Sequence, residues 1–199
     1  MQSPTKRRGA GWLSMLGIAA MGLLAVTSQA ATYYVDANRP GDSGGGTSWT
    51  TAKKTIQAAV NIAAAGDQLV VTNGVYTPII STANKAITIE SINGAAVTII
   101  DGNNARRCAT LGTSSTHTNT VLTGFTLRNG NARHTDVTIG QNYGGGSYGG
   151  TLNNCTLTNN LATNGGGASY GILSNCTLTG NWAQSGGGGA PWRLAAGRG

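Results

Sequence analysis

Residues 144–164 read GGGSYGGTLNNCTLTNNLATN, and residues 165–185 read GGGASYGILSNCTLTGNWAQS. After 21 residues the chain brings back a glycine triplet, a cysteine and the string N-C-T-L-T. A fixed period of this length marks a solenoid, in which each repeat is one coil that buries its apolar side only against its neighbours. If one period makes one coil, residue i lies above residue i−21, and like side chains form columns about 4.8 Å apart. That register sets Leu157 over Leu178, Cys155 over Cys176, and Asn159 and Asn160 over Gly180 and Asn181. Leu, Val, Ile, Thr and Cys suit a narrow interior, while corners with positive φ take Gly or Asn. The triplets Gly144 to Gly146 and Gly165 to Gly167 are then corners or close-packed backbone.

The strand pattern extends upstream of the repeat. QLVVTNGVYTPII, KAITIESING, AAVTIIDGNN and TVLTGFTLRNGN are short β-branched runs closed by Asn or Gly, with no helix of useful length between them. Before them, Tyr33 to Val35 reads as a short strand and residues 38–46 as a loop dense in turn formers. Thr51 to Asp67 carries Ile56, Ala59, Val60 and Ala63 at helical spacing and stops at Gly66, which predicts an amphipathic helix of about four turns. The expected organisation is a leader over 1–30, an N-terminal cap over 31–66, stacked coils over 67–189 and an irregular tail over 190–199. The leader reading rests on basic Lys6, Arg7 and Arg8, an apolar run from Trp12 to Val26, and small Ser28 and Ala30 flanking Gln29. Those are the parts of a secretory signal, and the run is shorter than the ~20 apolar residues of a membrane span.

Without the leader, 10 basic residues face 6 acidic ones. No basic cluster longer than Lys53–Lys54 or Arg106–Arg107 remains, so the footprint of a nucleic-acid binder is missing. The glycine runs lack the Lys-Ser/Thr of a phosphate loop, and the strand, helix and acidic residue of a dinucleotide site. They also lack the aspartate of calcium-binding nonapeptide repeats. Cys108, Cys155 and Cys176 with His117 and His134 show none of the close spacings of a zinc site. For Cys155 and Cys176 two readings stand. One is a reduced, buried thiol column, because in-register parallel neighbours hold their Cβ atoms slightly too far apart for a disulfide; the other is a bridge. Two N-C-T triplets, at Asn154 and Asn175, fit the glycosylation pattern but recur with the repeat.

The strings YYVDA, GTSW, KKTIQAAV, GDQLVV, NGVYT and TIIDG, followed by GG and C-T-L-T-x-N units, resemble bacterial secreted right-handed parallel β-helix proteins of the pectin-lyase-like superfold. The coil units are also similar to polymorphic outer membrane protein repeats. The resemblance covers Tyr33 to about Gly189. It implies an all-β solenoid of roughly 20 to 30 residues per coil, with an N-terminal strand and an α-helix covering the open end. This superfold hosts lyases, hydrolases and adhesins, so the fold does not name an activity.

The resemblance implies that lyases of this fold hold calcium on acidic side chains and that its hydrolases use several aspartates. Either design needs grouped carboxylates. Past the leader the chain has only Asp36, Asp42, Asp67, Glu90, Asp101 and Asp136, none adjacent to another or one residue from it. Asp67 and Asp101 sit where short polar side chains bond the backbone of a turn. The candidate site is therefore sought where the period slips. From Phe125 to Cys155 is 30 residues, which places about nine extra residues in RNGNARHTDVTIGQNYGGG. Insertions in solenoids emerge as loops on one face, and this one carries Arg128, Arg133, His134 and Asp136 as candidate ligand-binding residues. No catalytic residue, metal ligand or cofactor is assigned; calcium enters only under the enzyme alternative.

The expected function is that of an exported, non-catalytic β-helix acting in cell-surface adhesion or glycan binding, located outside the cell or on the outer membrane. The alternative is the N-terminal fragment of a polysaccharide lyase or glycoside hydrolase. The expected partner is a polysaccharide or cell-surface glycan, with no nucleic acid and no transmembrane segment after leader removal. Because the sequence APWRLAAGRG continues neither strand nor turn pattern, the last coil is expected to be uncapped and open to edge-to-edge self-association.

Overall fold

The computed structural model describes residues 29–81, 83–133, 142–185 and 187–188. Most of the leader, His134, Asp136 and the tail from residue 190 lie outside these. The chain opens with β1 (Thr32–Val35), a 3-10 turn at Trp49–Thr51 and α1 (Ile56–Ile62). Coil 1 holds β2 (Gln68–Val71), β3 (Gly74–Tyr76) and β4 (Ile79–Ile80). Coil 2 holds β5 (Thr88–Ser91), β6 (Thr98–Asp101) and β7 (Ala109–Thr110). Coil 3 has β8 (Val121–Thr123), β9 (Thr126–Arg128) and β10 (Ser147–Tyr148). Coil 4 has β11 (Thr151–Asn153), β12 (Thr156–Thr158), β13 (Leu161–Ala162) and β14 (Ala168–Ser169), and coil 5 has β15 (Ile172–Ser174), β16 (Thr177–Thr179) and β17 (Trp182–Ala183).

Each strand pairs in parallel with its counterpart one coil away. Sheet A runs β1-β2-β5-β8-β11-β15, sheet B runs β3-β6-β9-β12-β16, and sheet C runs β4-β7-β10-β14, with a short β13-β17 pair beside them. All described pairings between strands are parallel, and the fold is a parallel β-helix. Successive rungs of sheet A are 20, 33, 30 and 21 residues apart. The 33-residue coil exceeds the expected range because a loop, residues 111–119, is inserted before β8. The final offset recurs in sheets B and C, where Leu157 lies on Leu178 and Ser147 on Ala168.

One core fills the stack. Leu69, Ile89, Leu122, Leu152 and Leu173 form an inward column of sheet A, and Tyr76, Ile100, Leu127, Leu157 and Leu178 one of sheet B. Nine of these ten are buried, and only Leu178, in the last rung, is partly exposed. Each buried Leu or Ile contributes about 1.5–3 kcal/mol relative to exposure. The corners between sheets A and B turn at Gly124, Asn154 and Asn175, and those after sheet B at Asn129, Asn159 and Gly180, all with positive φ. Asn and Gly alternate there because both tolerate the left-handed region.

The helix is shorter than its periodicity predicts. Ile56, Ala59, Val60 and Ala63 do face the core, but long-range bonds trim both ends. The Asp42 carboxylate accepts from the Lys54 and Thr55 backbone N–H groups and the Thr55 hydroxyl. Thr55 then caps the helix by accepting from the Ala58 N–H. At the other end Ala63 is already extended. The Asp67 carboxylate takes the N–H groups of Ala64 and Ala31, and the Lys85 ammonium donates to the Val60 and Ala63 carbonyls. α1 lies against β1, β2 and β4, as the capping expectation requires.

Two of the three strand edges at this end, those of sheets A and C, are met by hydrogen bonds. β1 bonds to Gly46 and Lys53, which lie alongside it. β4, the edge of sheet C, is met by one side chain: Gln57 donates its amide to the Ile80 carbonyl and accepts the Ile80 N–H. Gln57 imitates one residue of a missing strand, which removes an edge open to pairing. No helix among the described residues is long and apolar enough to cross a membrane.

Candidate ligand-binding groove

A cavity of about 490 Å³ lies outside β4 and β7 of sheet C, between the start of α1 and the corner at residues 105–107. Thr55 and Gln57 form one wall, Ala105, Arg106 and Arg107 the other, Thr77, Pro78, Ile80 and Thr110 the floor, and Asn131 one end. The site is assembled from four remote segments, one from the start of α1 and one from each of coils 1, 2 and 3. Its apolar component is Ile80, 46% exposed. Its cation is Arg106, whose side chain is exposed and takes part in no hydrogen bond or ion pair among the described residues.

Arg107 is the opposite case. It is 3% exposed, and its guanidinium donates to the carbonyls of Tyr143 and Gly144 and to the Thr110 hydroxyl. It also lies 5.0 Å over the Tyr148 ring. Burial lowers its pKa to about 10, so it still carries its charge at neutral pH. Arg107 pins the start of β10 to β7, whereas Arg106 next to it is available to a ligand.

Every described carboxylate is held in hydrogen bonds, and the one that reaches a groove residue, Asp42, is bound to the Thr55 N–H and hydroxyl. Asp36 accepts from the Asn38 N–H, Glu90 from the Gln68 amide, and Asp42 and Asp67 from the helix ends. Asp101 accepts from the Asn103 N–H, the Asn129 amide and Arg128 Nε, the last at 2.7 Å. None of the five lines the cavity, and the described residues contain no grouping of acidic, histidine and cysteine side chains able to hold a metal ion. The expectation that Asp67 and Asp101 serve turns is met.

Of the four residues proposed from the period slip, the structure describes Arg128 and Arg133, and it places them apart. The register shifts between Asn131, which pairs with Leu161 thirty residues on, and Tyr143, which pairs with Asn164 twenty-one residues on. Arg128 lies on the outer face of sheet B in its ion pair with Asp101. Arg133 sits 5.0 Å over the exposed Trp182 ring and reaches Gln184. Its N–H donates to the Asn131 side chain, at the end of the groove. His134 and Asp136 fall outside the described residues.

All three cysteines are free thiols. Cys108, completely buried, is pushed up to about 12 by desolvation. Cys155 and Cys176 stack as expected, and the interaction between the two thiols raises the first and lowers the second. Their Sγ atoms also donate to the carbonyls of Asn153 and Ser174 at equivalent places in successive coils.

Sequence reasoning missed the groove because Gln57, Ile80, Arg106 and Asn131 share no local motif. Beside the groove the repeat also breaks step: in GGGSYGG and GGGASYG the tyrosine shifts by one place, so that Tyr148 and Tyr170 do not stack in the same column.

No family model and no curated protein matches the chain. Among solved structures, a crystal structure of a pectin methylesterase mutant in complex with a hexasaccharide is similar over 77% of this chain, with a TM-score of 0.46 and 14% sequence identity. The match covers 50% of that structure's chain, so this chain spans about half its length.

Proposed function

We propose that this protein is an exported, non-catalytic parallel β-helix that binds a cell-surface or extracellular glycan in the groove outside sheet C. One observation carries the reading: a 490 Å³ groove of hydroxyl, amide and aliphatic groups with one available guanidinium and no described carboxylate in its lining. Such a lining can hydrogen-bond a chain of hydroxyl groups, and Arg106 adds a donor for ring or carboxylate oxygens. Acid–base cleavage of a glycan needs positioned proton donors and acceptors, and the five described carboxylates are held in structural bonds.

Isothermal titration against neutral and uronate oligosaccharides, with the wild type and Arg106→Ala, tests this. Binding by the wild type and a several-fold loss in the variant, with unchanged circular dichroism, is expected. Release of unsaturated uronates or reducing ends from the same panel, with or without calcium, would replace the reading with an enzymatic one. Equal binding by Arg106→Ala would remove the groove as the site.

A further inference from the structure

Tyr170 has φ 57°, in the left-handed region where a bulky side chain is disfavoured. The register shows what the fold would accept there. Tyr148 pairs with Ser169, so the counterpart of Tyr170 in the coil beside it is Gly149, with φ 67°. All the other described residues with positive φ are Asn or Gly. A backbone position suited to glycine therefore carries an aromatic ring.

That ring completes a cluster. Its centroid lies 5.5 Å from that of Tyr143 and 5.5 Å from that of Tyr148. Tyr148 is buried under Arg107 and forms the floor, while Tyr143 and Tyr170 are half-buried. Arg107 is also a wall of the groove, so the tyrosines continue the same outer face of sheet C from coil 3 to coil 4. Strain retained at a surface position suggests a role beyond packing.

We propose that Tyr143 and Tyr170 form a stacking platform for a pyranose ring of a neutral glycan, a subsite that prolongs the groove past Arg107. It rests on the reading of that groove as a glycan site. A pyranose presents a face of C–H groups edged by hydroxyls, and tyrosine offers a flat apolar face with a hydroxyl at its rim. A nucleobase would stack as well, but a nucleic acid also needs cations along its phosphates. The nearest guanidinium, Arg107, is directed at backbone carbonyls.

The test titrates cellohexaose, xylohexaose and mannohexaose, with oligo-dT alongside, into the wild type, Tyr170→Gly and Tyr143→Ala. Glycine suits the backbone at 170, so Tyr170→Gly is expected to melt no lower than the wild type while binding its hexasaccharide at least ten-fold more weakly. Unchanged affinity in Tyr170→Gly overturns the platform and leaves the groove reading to stand on Arg106→Ala. Failure of the wild type to bind any of these three neutral hexasaccharides overturns the platform and leaves the groove reading to the uronate titration, and tighter binding of oligo-dT also overturns it by assigning the rings to bases. Saturation-transfer NMR on the wild type supplies a readout free of folding effects. Transfer between sugar protons and the ring protons of Tyr143 and Tyr170 is expected, and its absence under saturating ligand overturns the proposal.

Discussion

Coils 4 and 5 repeat nearly the same residues, while coils 1 to 3 share few, yet both groups fill the same three sheets. In sheet A the early inward positions are Leu69, Ile89 and Leu122, and the late ones Leu152 and Leu173. Stacking therefore requires an inward apolar side chain and a corner that accepts positive φ, not identity. Differences in length go into loops. The two groups also differ in what ties them. The early coils are fastened by carboxylates, as Asp42, Asp67 and Asp101 show. After Asp136 the chain has no acidic side chain, and asparagine takes over the task.

The asparagine fastening is a ladder. The Gly130 N–H donates to Asn160 Oδ1, and the Asn160 N–H donates to Asn181 Oδ1. The Asn160 and Asn181 amides in turn donate to the carbonyls of Leu127 and Leu157. Amides keep their hydrogen bonds at any pH where the chain is folded, whereas carboxylates lose acceptors on protonation.

Four measurements would break or sharpen this contrast. Leu157→Ala in the repetitive part and Ile89→Ala in the irregular part should each destabilise by about 2–5 kcal/mol in urea unfolding, since both are completely buried. A negligible cost at one of them would show that identity matters after all. Asn160→Leu should cost about 3 kcal/mol, because it strands the buried Gly130 N–H and the Leu127 carbonyl. Local hydrogen exchange should then rise in coils 3 to 5 and not around α1.

Acid should act on the other group. Burial alone would raise the Asp42 and Asp101 carboxyls. Hydrogen bonds from Thr55 and Lys54 to the first, and from Asn103, Arg128 and Asn129 to the second, outweigh it and hold both below the ordinary 3.8. With folded values depressed, their stabilisation is complete above about 3.8 and is lost as pH falls through the lowered values. Hydrogen exchange measured in steps below that pH should show Thr55 and Asn103 losing protection before Gly130 and Asn160. The reverse order would contradict the division. The smallest effect concerns Ser147, whose buried hydroxyl has no hydrogen-bond partner among the described residues and whose neighbours in the column are Ala109 and Ala168. Ser147→Ala should stabilise by about 1 kcal/mol, read from the urea midpoint.

The repetitive coils were legible because identical residues 21 apart declare their own register. The insertion was legible for the same reason: the slip between Phe125 and Cys155 falls between Asn131 and Tyr143, as the bridges show. The helix ends were not, since Asp42 and Lys85, which trim α1, are distant in sequence and carry no periodic signal. The groove was illegible because its walls meet only once coils 1, 2 and 3 are stacked. Arg128 and Arg133, five positions apart, lie on either side of a corner, one on Asp101 and the other on Trp182, a placement that spacing alone does not show.

The central claim is that successive coils lie in parallel register. Selective methyl labelling of leucine followed by nuclear Overhauser spectroscopy tests it directly. Cross-peaks linking Leu122 to Leu152 and Leu152 to Leu173, together with Leu127 to Leu157 and Leu157 to Leu178, are expected from the pairing. A folded protein whose Leu157 methyls contact neither Leu127 nor Leu178 would contradict the stack.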